Sequence, residues 1–343
     1  MAKWSMGLAL IGMCLTGTAE AQWGGAPPCR EMAPGPMDRC TAPEGPTDEL
    51  GIPAQLPNAF SDPCCDHHLD PYFYVGAQAL MRHHMGEAAV GIRGAGAAAV
   101  VVQKFDDMPM NVNFGPSGGI GFRWDGGAFD LGGYYLPPKD SAITDFGAVN
   151  SAIPNVTASA AAGFFRTTLT SSLGNYEANF SSSSTAWQGP EWLLGVRFLD
   201  LEEKLRFQGG NTYTVRAFNR IVGPTVGVQY PAWVCGSCAL LLYGKATWGW
   251  NMLHADGSTV TAGVVAEESD NRTFFSHIYE VGFTFDVQIS DPLRLRLGWQ
   301  GLWALHVAEA VKQIGTATGD LLSTNTQGSI LYHGPMFQLE WVF

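Results

Sequence analysis

The chain has 343 residues, of which 15% are charged and 12% are aromatic, and its formal net charge is −12. A typical soluble domain has about 25% charged residues, so this composition is poor in charge for a water-soluble protein. The negative charge argues against nucleic acid as a partner, because nucleic-acid binding needs clustered Lys and Arg.

The N-terminus has the layout of a secretory signal peptide, which we assign to residues 1–21. Lys3 gives a positive start and is followed by an apolar core. This core is too short to span a bilayer as a helix. Ala19 and Ala21 form a small-residue cleavage site. We therefore expect cleavage after Ala21; a retained anchor and a lipoprotein site at Cys14 are the alternatives.

Residues 22–70 form a segment rich in Pro and Cys that lacks apolar periodicity. Such a composition cannot bury a core, and we expect a flexible leader that lies in the periplasm. Residues 71–343 instead show the alternation of apolar and polar residues that is typical of strands. No later stretch is a convincing membrane helix, because the best candidate, residues 88–103, is interrupted by Arg93. The exported chain is then either a soluble protein or an outer-membrane β-barrel.

The clearest strand pattern covers residues 279–289. Apolar side chains occupy every second position from Tyr279 to Ile289, with mostly polar residues or glycine between them. This is about the length that a tilted transmembrane strand needs. The pattern predicts a strand with one face toward lipid and one toward a lumen.

A second strand follows after a short turn at residues 290–292. Pairing the two strands across this turn places Asp286 opposite Arg296 and Gln288 opposite Arg294. The polar faces then coincide, as a single lumen requires.

The alternation predicts an all-β fold: a transmembrane antiparallel up-and-down β-barrel of about ten strands, with about 8–12 as the range. Most connections on one side are short and most on the other are long, as in outer-membrane barrels. A soluble exported β-sandwich with a binding role is the alternative, but it has no reason to sort its loops in this way. The predicted strands are residues 72–82, 118–124, 128–137, 164–180, 191–207, 215–230, 240–254, 274–289, 293–307 and 329–343.

The C-terminus repeats the alternation and ends on an aromatic residue. Its apolar face resembles the assembly signal of bacterial outer-membrane barrels. We therefore expect outer-membrane lipid and the barrel-assembly machinery as partners, and the bacterial outer membrane as the location. The residues of this signal are Phe337, Leu339, Trp341 and Phe343.

The stretch WLLGVRFLDLEEKL, which begins at Trp192, fits both an amphipathic helix and a strand. The strand interpretation places its first apolar residues against lipid. Because Phe198 and Leu199 are adjacent apolar residues, we predict a β-bulge between them. Beyond the bulge, Asp200 and Glu202 face the lumen, and the leucines on either side of Asp200 face outward.

This stretch resembles a motif of an uncharacterised planctomycetal family of outer-membrane β-barrel proteins. Residues 219–223 with Gly227, and residues 291–303, are similar to further parts of the same family. The resemblance covers roughly residues 71–343 and implies the barrel fold and the outer-membrane location. The family offers no activity to transfer, and the Cys-rich leader departs from it. The motif residues are Leu194, Gly195, Arg197, Phe198, Leu199, Leu201, Glu202 and Glu203.

The predicted inner faces of the strands carry several charged residues. The interior of a barrel of about ten strands is narrow. These charges therefore pair and fill the lumen, or they line a narrow passive pore for small solutes or ions. We expect a structural, surface or narrow-pore role and not an enzyme. The predicted lumen charges are Arg197, Asp200, Glu202, Lys245, Glu280, Asp286, Arg294 and Arg296.

Six cysteines follow the cleavage site, and an even number in an exported chain favours disulfides. Cys235 and Cys238 form a CxxC motif in a predicted turn, where a local disulfide is favoured over a redox or metal site. The run from Cys64 to His68 has metal-ligand types, but adjacent cysteines more often join different disulfides. We therefore expect no metal and no cofactor. The other disulfide candidates are Cys29, Cys40, Cys64 and Cys65.

Three histidines lie near the predicted outer ends of strands: His254, His277 and His306. Some outer-membrane barrels are hydrolases with active sites at this rim, and such an enzyme is a further alternative. Nothing in the sequence fixes these histidines beside a nucleophile.

Overall fold

The structure, a computed structural model, describes residues 69–83, 89–93, 100–104, 108, 112–124, 126–146, 150–151, 164–182, 190–209, 211–235, 237–261, 263–314 and 321–343. The predicted signal peptide, and the leader up to residue 68, lie outside these described residues. Within the described residues, no helix has the length and apolar character needed to cross a membrane.

The described chain is built from thirteen strands and one 3₁₀ turn. The turn covers Ala310–Gln313. The strands are β1 (Asp70–His83), β2 (Ala89–Arg93), β3 (Val100–Lys104), β4 (Val112–Trp124), β5 (Gly127–Phe146), β6 (Asn150–Ser151), β7 (Phe164–Ser182), β8 (Glu191–Gln208), β9 (Thr212–Cys235), β10 (Cys238–Thr261), β11 (Val264–Ser290), β12 (Leu293–Val307) and β13 (Gly328–Val342).

Ten of these strands form one closed antiparallel barrel in the order β1-β13-β12-β11-β10-β9-β8-β7-β5-β4, and β4 pairs back with β1. The predicted barrel of about ten strands is confirmed, and the β-sandwich alternative is wrong because the sheet closes on itself. The strands β2, β3 and β6 form a separate three-stranded sheet within the stretches predicted as long outer connections.

Three short turns define one end of the barrel. The turns β4–β5, β9–β10 and β11–β12 are short and share one end with Phe343, and we call this the inner end. The opposite end is the outer end. There β10 and β11 continue to pair as far as Thr261 and Val264, so the predicted outer connection 255–273 is largely strand. Its β-branched residues favour this extended conformation over a loop.

The register of β11 and β12 agrees with the prediction from the turn. Asp286 pairs with Arg296, and Gln288 pairs with Arg294. The polar faces of both strands therefore point into the same interior, as expected. β12 spans Leu293–Val307, which are also its predicted bounds.

Large apolar side chains cover the outward face of the barrel strands. This surface is the one that lipid requires, because every barrel strand hydrogen-bonds to neighbours on both sides and only side chains meet the bilayer. The C-terminal side chains Phe337, Trp341 and Phe343 share this outward exposure. We call the following outward residues the apolar belt: Val75, Ile120, Leu131, Phe180, Trp192, Leu194, Val196, Val222, Val226, Val228, Leu242, Trp250, Val281, Phe283, Leu297, Trp299, Phe337 and Trp341.

The strand β8 is regular, and the predicted β-bulge between Phe198 and Leu199 is wrong. Its register with β7 and β9 continues without a shift. Leu199 and Leu201 consequently point into the barrel and are fully buried. The reason is that the lumen is apolar at the level of these two leucines. They are therefore buried inside without a shift in the register of the strand.

Candidate functional site

Three arginines and two carboxylates form the first layer of the lumen, at the inner end. Arg296 Nη2 lies 3.0 Å from Asp286 Oδ2 and 3.7 Å from Glu340 Oε2. Arg123 Nη2 lies 2.7 Å from Glu340 Oε1, and Arg294 Nη1 lies 3.6 Å from the same oxygen. The three arginine side chains are 23–30% exposed. Water therefore reaches this layer from the inner end.

A more deeply buried ion-pair network lies above it. Arg197 Nη2 lies 2.5 Å from both Glu177 Oε1 and Glu280 Oε2. Lys245 Nζ lies 2.9 Å from Glu177 Oε2 and 3.6 Å from Glu280 Oε1. Two cations thus balance two carboxylates, which is the condition for keeping charges in a narrow interior. The Lys245 side chain is 19% exposed and that of Arg197 is 0% exposed, so access from the inner end stops between them.

An apolar layer crosses the lumen above the ion pairs, and we call it the septum. Every barrel strand except β4 and β10 contributes to it, and each of its side chains is at most 1% exposed. A layer of packed hydrocarbon without a water path is a barrier to ions and polar solutes. The residues of the septum are Leu80, Leu136, Leu173, Leu199, Leu201, Ile221, Ile278, Leu302, Ile330 and Tyr332.

Polar side chains above the septum bind the chain segment that joins β12 to β13. We call the described parts of this segment, residues 308–314 and 321–327, the strap. Asn219 Nδ2 donates to the carbonyl of Ala308 at 2.9 Å, and its Oδ1 accepts from the amide of Ala308 at 2.8 Å. The amide of Ala310 donates to Glu203 Oε2 at 3.0 Å. Arg82 pairs with the other oxygen of Glu203.

The strap also closes the outer end of the lumen with apolar side chains. It adds Ala308, Ala310 and Leu322 to a second buried cluster, which lies above the septum. Tyr213 donates from its hydroxyl to the carbonyl of Leu321. The barrel thus carries two apolar closures in series. The other buried members of the outer cluster are Met108, Phe165, Leu169, Leu205, Phe207, Val215, Ala217, Leu253 and Ala255.

The structure separates the predicted lumen charges into two groups. Those on the inner face and joined by ion pairs are Arg197, Lys245, Glu280, Asp286, Arg294 and Arg296. Asp200 and Glu202 do not join them, because β8 lacks the bulge that would turn them inward. Asp200 instead faces outward, where its Oδ1 lies 3.7 Å from Arg220 Nε on β9.

Several members of the lumen networks were not singled out from the sequence. Glu177 and Arg123 lie on strands whose extent was predicted, and the period of two from their apolar neighbours would have placed them inside. The same period of two predicts an inward position for Arg82 and Glu340. The binding of the strap by Asn219 had no comparable signal, because it depends on a long connection folding back into the barrel.

The family-like motif now has a structural explanation in the lumen. Its residues Arg197 and Glu203 are both fully buried and anchor the ion pairs below and above the septum. Asn219, from the second piece of the resemblance, binds the strap. Gly195 lies against β7, where a Cβ atom would be 2.4 Å from the carbonyl oxygen of Ala178. Arg197, Glu203 and Asn219 therefore hold the interior together.

The three histidines considered for a rim active site lie on the outward face. His254 Nδ1 lies 2.7 Å from Asn271 Oδ1. His277 and His306 approach each other with ring centroids 5.4 Å apart, and His306 has a left-handed φ of 55°. In the described part of the chain, no group of three His, Cys, Asp or Glu side chains is arranged to hold a metal ion.

The CxxC motif lies at the inner end. Cys235 and Cys238 are cross-strand partners at the β9–β10 turn, and the structure has no disulfide between them. The predicted local disulfide is therefore not present in this structure. The other four candidates, Cys29, Cys40, Cys64 and Cys65, lie outside the described residues.

No protein-family model matches the chain, and no curated protein matches it significantly. Among solved structures, the outer membrane protease OmpT from Escherichia coli is similar at 10% identity and a TM-score of 0.42, covering 80% of this chain and 96% of OmpT. The toluene transporter TodX from Pseudomonas putida is similar at 8% identity and a TM-score of 0.21, covering 81% of this chain and 89% of TodX. At these TM-scores neither similarity bears on the activity of this chain.

Proposed function

We propose that this protein is an outer-membrane β-barrel with a structural or surface role, and that its lumen does not conduct. The septum is the single observation that carries this proposal. The first charged layer below it is exposed to water from the inner end, but the side chains of the septum are hydrocarbon closed to solvent. Outer-membrane lipid is the proposed partner of the apolar belt, and the leader lies in the periplasm.

The membrane location is supported by the outward face of the barrel. Trp192 and Leu194 on β8 are 65% and 63% exposed, and similar apolar residues surround the ring. A soluble protein rarely exposes contiguous apolar surface of this extent. The closed ring also satisfies the backbone without water, which a bilayer demands.

We further infer that the protein is not an enzyme of the rim-hydrolase type. His277 points outward between Phe275 and Tyr279, His306 lies against the ring of His277, and His254 is bound to an amide oxygen. Among the described residues, none of these three histidines is paired with a hydroxyl or thiol nucleophile. Peptide or phospholipid hydrolysis that is lost in His254→Ala or His277→Ala would contradict this inference.

Cell fractionation tests the location. The expected product is found in the detergent-extracted outer membrane and migrates faster on gels before heating than after it. A freely soluble periplasmic product would contradict the proposal.

Planar-bilayer recording tests the closed lumen. The wild-type barrel should show no channel steps, because the septum and the strap both block the path. A variant that combines Leu201→Ser, Leu302→Ser and replacement of residues 309–327 by a short turn should show steps, since it puts hydroxyl groups into the septum and removes the strap. The same loop replacement combined with Leu205→Ser is the matched control and should stay silent, because its septum is intact. Channel steps from the wild type would overturn the closed-lumen proposal.

A further inference from the structure

The outer part of β11 has a free edge. Residues 264–275 pair with β10 on one side, whereas the pairing of β11 with β12 begins only at His277. The strand β12 ends at Val307, and the strap then turns into the barrel. Among the described residues, no backbone group bonds to residues 264–275 from the side of β12. We call this stretch the open edge.

The register decides which backbone groups the open edge presents. The amide of Gln288 donates to the carbonyl of Ser237 at 2.8 Å, and β11 pairs with β10 without a register shift. Even-numbered residues of β11 therefore bond toward β10, and odd-numbered residues point their amides and carbonyls the other way. Within the described part of the chain, the residues with unpaired backbone groups are Val265, Glu267, Ser269, Asn271, Thr273 and Phe275.

The opposite rim of the outer wall, on β5, carries features that block the addition of a strand. The pairing of β5 with β4 ends at Tyr134, so the outer part of β5 also lacks β4 beside it. There Pro137 and Pro138 have no amide hydrogen, Lys139 adds a charge, and the register with β7 shifts. Proline, lysine and bulges are means by which proteins prevent edge-to-edge pairing. The open edge of β11 has none of these three features, so it is able to accept a strand.

The side chains of the open edge define the chemistry of a strand that would pair with it. Glu268 and Asp270 accept hydrogen bonds from the strap and are therefore engaged. Glu267 is exposed on the other face, and it forms no ion pair or hydrogen bond within the described part of the chain. Two positions away, Val265 is 57% exposed beside its cross-strand partner Val260. A matching strand therefore carries a basic residue opposite Glu267 and an apolar residue opposite Val265.

Strand tilt excludes a second copy of the barrel as the occupant of the open edge. Two copies side by side in one membrane are related by a rotation about the membrane normal, which preserves the tilt of every strand. Two facing copies of β11, each tilted by about 40°, cross at about 80° and cannot form a ladder. The occupant is therefore a segment whose direction is not fixed by the same membrane.

We propose that the open edge binds an extended, basic segment of an external polypeptide as an added β-strand. This inference rests on the proposed outer-membrane location, in which the outer end of the barrel faces the outside of the cell. The open edge spans about 36 Å along the strand. Main-chain hydrogen bonds would supply the affinity, and Glu267 and Val265 would select a basic and an apolar residue two positions apart.

Hydrogen exchange of the purified, folded barrel in detergent micelles, followed by NMR, tests this proposal. The probe is the synthetic peptide TVTKTVTKT, and the comparison peptide TVTETVTET has glutamate in place of lysine. With the probe, the odd-numbered amides of residues 265–273 should exchange at least about tenfold more slowly, because each gains a hydrogen-bond partner. The even-numbered amides should not change, since they already bond to β10. The glutamate peptide should bind at least about fivefold more weakly.

A matched pair of variants tests the backbone contact. Ser269→Pro removes one amide of the open edge without touching the ladder to β10, and it should raise the Kd of TVTKTVTKT at least about tenfold. Ser269→Ala keeps the amide and should leave the Kd unchanged. Protection of the even-numbered amides in Ser269→Pro checks that the hairpin is still folded. N-methylation of alternate peptide residues tests the same bonds from the side of the peptide and should abolish binding.

The charge contact has its own variant. Glu267→Gln should raise the Kd of TVTKTVTKT about threefold, as expected for an exposed ion pair. The same variant should leave the Kd of the neutral peptide TVTQTVTQT unchanged, which separates the charge from the shape of the side chain.

Three results would overturn the proposal. They are equal affinity of Ser269→Pro and Ser269→Ala for the probe, equal binding of the lysine and glutamate peptides, and protection of the odd-numbered amides that rises with barrel concentration in the absence of peptide. Labelling of Ser269→Cys in intact cells with a membrane-impermeant maleimide reports the location separately. A failure of the proposed location is therefore distinguishable from a failure of strand addition.

Discussion

Asn219 binds the peptide unit of Ala308 as a strand partner would, donating to its carbonyl oxygen and accepting from its amide nitrogen. Asn251 Nδ2 donates to Asn219 Oδ1 at 3.0 Å and to Ser276 Oγ at 3.1 Å. Ser276 then donates from its hydroxyl to the carbonyl of His306. A ladder of polar side chains across β9, β10 and β11 thus fixes the point where β12 ends and the strap turns into the barrel.

Removing the amide of Asn219 should release the strap. In Asn219→Ala the buried amide and carbonyl of Ala308 lose their partners, at a cost of about 1–3 kcal/mol each for an unsatisfied buried group. We expect faster hydrogen exchange at residues 308–313 and earlier proteolysis in the strap, with the barrel still heat-modifiable. Asn271→Ala, which removes an amide on the outward face, is the control and should leave exchange in the strap unchanged.

Arg197 is expected to be the most sensitive single residue of the lumen. Arg197→Met leaves Glu177 and Glu280 buried with only Lys245 as a cation nearby, and breaking a buried ion pair from one side costs about 3–5 kcal/mol. The midpoint of urea unfolding, followed by tryptophan fluorescence in lipid vesicles, should fall accordingly.

A compensating variant separates charge from shape at this position. Arg197→Met combined with Glu280→Gln restores the charge balance and should recover part of the lost stability. Arg220→Met, which breaks an exposed outward pair, should change stability by less than about 1 kcal/mol. Equal losses for Arg197→Met and Arg220→Met would contradict the central role of the buried network.

The regular register of β8 can be tested by cysteine labelling. In a background with the native cysteines replaced by Ser, Asp200→Cys should react with a water-soluble maleimide, because the Asp200 side chain is 43% exposed on the outward face. Leu199→Cys and Leu201→Cys should stay unreactive until the barrel is unfolded, since both positions are fully buried. Labelling of Leu201→Cys with protection of Asp200→Cys would instead support the β-bulge that the sequence predicts.

The strands could be predicted from the sequence because apolar and polar residues alternate with a period of two in membrane strands, and this alternation is visible within each strand alone. The apolar face of residues 279–289 and the pairing of Asp286 with Arg296 depend only on neighbours in one hairpin, and both were correctly predicted. The face of Leu199 and Leu201 was not, because it depends on what fills the barrel. The prediction rests on a polar lumen, from which a bulge would turn the two leucines outward. The septum makes the lumen apolar at their level, so no bulge is needed.

The strap and the outer extensions were missed for a related reason. Residues 255–273 and the strap were both assigned to loops because they lie beyond the length that a bilayer needs. The extensions become strand through β-branched residues that pair with each other well outside the belt. The strap folds inward because the inner faces of β9 and β10 near the outer end are apolar, with Tyr213 and Leu253 among the residues that share its buried cluster. Neither feature has a periodic signal in its own sequence.

The contact between Asp270 and Thr324 should make the outer end of the strap sensitive to acid. The Thr324 hydroxyl donates to the Asp270 carboxylate, and this hydrogen bond lowers the pKa of Asp270, with Arg272 acting in the same direction. Because the pKa is lower in the folded state, the contact stabilises the fold above the unfolded value, about 3.9 for Asp. That stabilisation is lost as the pH falls through the folded pKa. Carboxyl NMR of labelled Asp270 should report a titration below the ordinary range in the wild type. It should move upward in Thr324→Val and stay unchanged in the control Thr273→Val. A titration of Asp270 that is identical in the wild type and in Thr324→Val would show that the strap is not held by this contact.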